Sequence, residues 1–73
     1  MPPRRLTFRE VERRLRSAGF GSVSQKGSHV KFGKQTEQGF LTVIVPRHKE
    51  VAIGLLRGIL RRLEMSWEEF EGL

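Results

Sequence analysis

The alternation of polar and apolar residues changes rhythm along this chain, and each rhythm predicts an element. Phe8, Val11, Leu15 and Ala18 recur every three or four residues, the spacing of one helix face. Thr7 stands just before them with Glu10 three residues on, so the two form a capping box, and Leu6 and Val11 can close over it as a hydrophobic staple. A helix is therefore predicted from about Thr7 and is ended by Gly19, which supplies the left-handed position, with Phe20 folding back on Leu15. Arg9, Glu10, Arg13, Arg14 and Arg16 fall off the apolar stripe; the Arg13, Arg14 and Arg16 cluster is able to grip a phosphate backbone but reads better as a solvated helix face.

From Gly21 the rhythm shortens. Gly21 to Gln25 is serine-rich with Val23 as its only apolar residue, which predicts a weak strand leading to a turn at Lys26-Gly27. Within Ser28 to Gly33, a period of two sends Val30 and Phe32 to one face and His29 and Lys31 to the other. The apolar pair can then enter the core while the imidazole meets water. Gly33 to Gly39 is polar and bounded by glycine, as expected of a hairpin loop. Phe40 to Val45 is rich in β-branched residues and nearly continuous in apolar ones, which predicts the central or best-buried strand, ended by Pro46 for want of an N–H.

Beyond the charged Arg47-His48-Lys49-Glu50, helical spacing returns at Val51, Leu55, Leu56, Ile59, Leu60 and Leu63. Gly54 and Gly58 weaken that helix, so its regular part is expected to begin near Gly54, after an irregular lead-in. Ser66 and Glu69 form a second capping box with Met65 and Phe70 as staple, opening a last short helix in which Trp67 covers the core. The order α-β-β-β-α-α predicts an α+β fold: a three-stranded antiparallel sheet with helices on one face and the other face left free. His29 and Lys31 belong to the free face.

Composition narrows the function classes. With 73 residues and no cysteine, the chain is read as one domain, residues 1–73, with a shallow core and neither disulfides nor a thiolate metal site. The two histidines fit no zinc spacing, and no cofactor is expected. Met1-Pro2-Pro3-Arg4-Arg5 is basic but precedes no apolar leader core, and no window approaches the roughly 18 apolar residues of a membrane span, so a cytoplasmic protein without a membrane partner is expected. The net charge of +6, with ten arginines among fourteen cationic residues, favours a polyanion; nucleic acid leads, with an acidic protein as the other reading.

At this point the residues resemble a known family. Gly27-Ser28-His29 with Phe32 four residues after Ser28, the Val45-Pro46-x-His48 exit, the Gly54-x-Leu56-Arg57-x-Ile59-Leu60 helix entry and the closing Ser66-x-Glu68-Glu69-Phe70 are together similar to the HicA toxins of toxin-antitoxin modules. The resemblance implies a fold like that of double-stranded-RNA-binding domains, a ribonuclease that cuts messenger RNA, and a HicB antitoxin as its inhibitor. It also implies that the catalytic histidine is His29. Two positions depart from the family's usual pattern: Leu63-Glu64-Met65 stands where many relatives carry alanine-glycine-leucine, and Leu55 where threonine follows Gly54.

The residue types suit that chemistry. RNA cleavage without a metal needs a base for the 2′-hydroxyl, an acid for the departing 5′-oxygen and positive charge at the phosphate. Imidazole exchanges protons near neutrality, and Lys26 and Lys31 beside it bias His29 toward the base role by repelling a further positive charge. Ser28 is expected on the opposite face of the strand, which argues against a serine nucleophile. His48 is a candidate for the acid, or else a loop residue capping a helix. Lys26, Lys31, Lys34, Arg47 and Lys49 are expected to contact RNA phosphates, giving affinity with little sequence choice. Phe32, Phe40 and Trp67 are expected in the core, which leaves no stacking platform. A non-catalytic RNA-binding module is the alternative; a DNA-binding regulator is disfavoured because the second helix is apolar on too many sides to serve as a recognition helix.

Overall fold

Local side-chain chemistry sets the helix starts. Thr7 Oγ1 accepts from the Glu10 N–H at 3.1 Å and the Thr7 N–H donates to Glu10 Oε1 at 2.9 Å, so the predicted capping box is formed. It opens α1 (Phe8–Ser17). Gly19, at φ 97°, lets the chain reverse, and the Phe20 N–H donates to the Leu15 carbonyl at 2.9 Å. Ser66 and Glu69 repeat the capping box at 3.0 and 2.8 Å and open α3 (Trp67–Glu71). Between them lie β1 (Gly21–Lys26), β2 (His29–Thr36), β3 (Gly39–Pro46) and α2 (Ile53–Leu63). The structure, a computed structural model, describes residues 3–73; Met1 and Pro2, the start of the basic N-terminal stretch, lie outside the described residues.

The three strands make one antiparallel sheet in the order β1-β2-β3, completing the predicted α+β architecture. Val30, Phe32, Val43 and Val45 leave it on one face and are buried with Leu6, Phe8, Val11 and Leu15 of the α1 region, Val51, and Leu56, Ile59, Leu60, Trp67 and Phe70 of α2 and α3. The Phe8 and Phe32 rings meet at 6.2 Å across that layer. On the other face His29, Lys31, Gln35, Phe40 and Ile44 are exposed. Among the described residues, no helix is long and apolar enough to cross a membrane.

Several boundaries differ from expectation, each for a physical reason. The polar stretch from Gly33 to Gly39 is mostly strand: β2 runs to Thr36, β3 starts at Gly39, and only Glu37 and Gln38 turn. Lys34 and Gln35 pair with Leu41 and Phe40, so polar residues here extend a hairpin instead of looping out. The first hairpin likewise turns at Gly27-Ser28, one residue later than expected, so that Lys26 stays in β1. The apolar run Phe40 to Val45 forms an edge strand, and β2 is the central one. Its residues face helices on one side only, which leaves Phe40 and Ile44 about half exposed, at 55% and 50%.

Arg14, read as solvated, is buried, with Nη1 donating to the Glu10 carbonyl at 3.3 Å. Position 14 lies three residues after Val11 and four before Ala18, within the buried stripe, and its aliphatic stem lines the core. As expected, the regular part of α2 begins only at Ile53, and in the lead-in the Val51 N–H donates to the Leu6 carbonyl at 2.7 Å in an isolated antiparallel bridge. At the end of α2, Glu64 takes the left-handed position, φ 53°, where a glycine would sit at no steric cost.

Candidate nucleic-acid site on the open sheet face

The β1-β2 hairpin positions the site. Gly27 takes φ 59° in the first of the two turn positions, the arrangement of a type II′ turn, and this closes the hairpin with Lys26 directly opposite His29. Directly paired residues project to the same face, so the Lys26 ammonium and the His29 imidazole rise side by side. On the other flank His29 pairs with Pro46, and one step inward Lys31 pairs with Ser24 and Ile44. Ser24, Lys26, His29, Lys31 and Ile44 together line an open concavity. Its lining holds an imidazole, two cations and a hydroxyl, and no carboxylate.

The other residues singled out from the sequence lie elsewhere. The Arg47 N–H donates to the Ser28 carbonyl, tying the end of β3 to the hairpin turn. The Arg47 side chain points to the helix layer, its guanidinium 5.5 Å from the centre of the Phe8 ring. With Phe8, Arg9, Glu12, His48 and Lys49 it lines a second concavity beside α1. His48 and His29 thus line separate concavities. Lys34 is inward-facing: its Nζ donates to the Ala18 carbonyl at 2.6 Å, 5.8 Å from the centre of the Phe20 ring. An ammonium at a helix C-terminus meets carbonyls left without intrahelical partners, so this lysine caps α1. Ser28 sits in the turn and is not part of the His29 concavity.

Two neighbours of His29, Ser24 and Ile44, escaped the sequence reading, as did the exposure of Phe40 farther along the face. Ser24 faces Lys31 only because the pairing slips between Ser22 and Ser24, a β-bulge that no local pattern announces. Phe40 and Ile44 carried a signal: period two divides their strand into Phe40, Thr42 and Ile44 on one face and Leu41, Val43 and Val45 on the other. Among the described residues, no three His, Asp or Glu side chains converge in a way that could hold a metal ion.

Fold and face together define a small basic α+β domain with a histidine between two lysines on its uncovered sheet. The chain belongs to the HicA family: the sequence model of the HicA toxin of bacterial toxin-antitoxin systems matches residues 8–65, from the first residue of α1 to just past α2. It is therefore a toxin of a toxin-antitoxin pair. No protein with a curated description matches the chain.

Proposed function

We propose that this toxin is a metal-independent endoribonuclease of messenger RNA, that His29 is its catalytic base, and that a HicB-like antitoxin silences it by covering the open face. The observation that carries the reading is the exposed His29 imidazole, set between Lys26 and Lys31 in one concavity of a HicA-family chain. His29 takes the proton of a ribose 2′-hydroxyl, whose oxygen forms a bond to the adjacent phosphorus as the bond to the 5′-oxygen breaks. Lys26 and Lys31 stabilise the charge that grows on the non-bridging oxygens. The departing 5′-oxygen takes a proton from one of these ammonium groups or from water. The products are a 2′,3′-cyclic phosphate and a 5′-hydroxyl.

Metal independence is supported by the chemistry of the lining, in which imidazole is the sole good ligand and two ammonium groups repel a divalent cation. Arg47 and Lys49, beside α1, serve RNA that extends past the hairpin end, with His48 as their neighbour and not as the acid. Lys34, held by Ala18, supports the fold instead of the substrate.

Digestion of a long RNA in the presence of a chelator tests the proposal. Wild type is expected to leave cyclic-phosphate ends and to spare 2′-deoxy positions, His29→Ala to lose about 10²- to 10⁴-fold in rate, and His48→Gln to stay within a few-fold of wild type. Wild-type protein that binds RNA and leaves it intact would establish the binding-only module instead. Loss of cleavage in chelator would overturn metal independence.

A further inference from the structure

The open face carries more than the His29 cluster. Val23, Phe40 and Ile44 are large apolar side chains left 49%, 55% and 50% exposed on it. Phe40 is held in a particular way. A Cβ built on Gly33 would collide with Phe40 Cζ and Cε2 and come within 3.3 Å of Val23 Cγ1. The ring therefore reaches diagonally from β3 across β2, its tip over a glycine backbone with Val23 beside it, while more than half of the residue stays in water. Along the same face of β2, Gly33 follows Lys31, which follows His29, in steps of two residues. At about 3.4 Å per residue the glycine lies roughly 14 Å from His29 along the strand.

We propose that Phe40 is the base-stacking residue of the RNA site: single-stranded RNA runs along β2 with a phosphate at His29 and Lys31, and a neighbouring base stacks on the Phe40 ring. This rests on the ribonuclease reading and adds a subsite to it. A face that interleaves cations with an exposed aromatic side chain suits a single strand, whose phosphates need charge and whose unpaired bases need a flat apolar partner. Stacking accepts every base, so the subsite gives affinity and register more than sequence choice.

The test uses the full chain carrying His29→Ala, so that bound RNA survives, and a short single-stranded RNA containing 2-aminopurine. Against this parent, Phe40→Leu, which keeps an apolar cover over Gly33, is expected to weaken binding about tenfold and to abolish quenching of the fluorescent base. The salt dependence of binding should stay unchanged. Phe40→Trp is expected to restore both affinity and quenching. Lys31→Ala should instead lower the salt slope by about one. Parental affinity and quenching in Phe40→Leu would overturn the proposal, and a simultaneous loss of antitoxin binding would assign the ring to the protein partner. If wild type cleaves RNA and only the Phe40 result fails, the stacking subsite falls and the ribonuclease stands. If wild type neither cleaves nor binds RNA, both fall.

Discussion

Gly33 shows how one absent side chain shapes a surface. Its missing Cβ is what lets the Phe40 ring cross the central strand, and any larger residue must push the ring aside. The atoms in the way are the far end of an exposed side chain, so Gly33→Ala should displace the ring without unfolding the sheet. A loss of about 1 kcal/mol in denaturant stability is expected, at the low end for overpacking, together with weakened RNA binding like that of Phe40→Leu. Unchanged affinity would separate the ring from the substrate. The neighbouring His29 illustrates what a sequence reveals at this scale: its exposure followed from strict alternation with Val30 and Phe32. The burial of Arg14 did not, since a charged residue at a core-facing position is recognised only when the elements that cover it are known.

Among the elements, α1 and α3 begin in the same way, and acid should loosen both starts. In Glu10 the backbone N–H of Thr7 is the main influence and holds the carboxyl below its ordinary value of 4.5, helped by the Thr7 side chain and Arg4 against a smaller cost of burial. In Glu69 the backbone N–H of Ser66 does the same. A carboxyl whose value is lowered by folding stabilises the native state fully above the unfolded value and loses that contribution as pH falls through the folded one. Stability should therefore decline below about pH 4.5, and a Glu10→Gln, Glu69→Gln double variant, whose amides still complete the capping boxes, should show a flatter acid limb. Superimposable acid curves would refute this. At neutral pH Thr7→Ala should cost about 1 kcal/mol, measured as a shift in the unfolding midpoint.

These helix starts were legible because both partners lie within four residues of each other. The strands were less so: Lys34 faces inward through a contact with Ala18, sixteen residues away, which no local window contains. The edge position of β3 is not legible in its sequence, because a run apolar on both faces reads as buried whether or not a second layer covers it.

At the scale of the whole molecule, positive charge gathers in two concavities, with Lys26 and Lys31 beside His29 and Arg9, Arg47 and Lys49 beside α1. An antitoxin that reached only one would leave the other open to RNA. The sheet's outer edge at β3 has a different significance. Phe40 to Val45 is uncharged, rich in β-branched residues and free of proline, the composition that templates strand addition, and among the described residues no further strand covers it. Two features oppose this: the Arg62 guanidinium of α2 donates through Nε to the Thr42 carbonyl, and Pro46 has no N–H to offer an incoming strand. Arg62→Ala should leave the unfolding midpoint within about 0.5 kcal/mol, as for most exposed substitutions, while raising self-association seen by light scattering. If scattering stays at the wild-type level, the edge is guarded by something else. An arginine that guards the edge in this way would set how concentrated the free toxin can become before it is lost to its own copies, a limit on its supply that acts without touching the reaction.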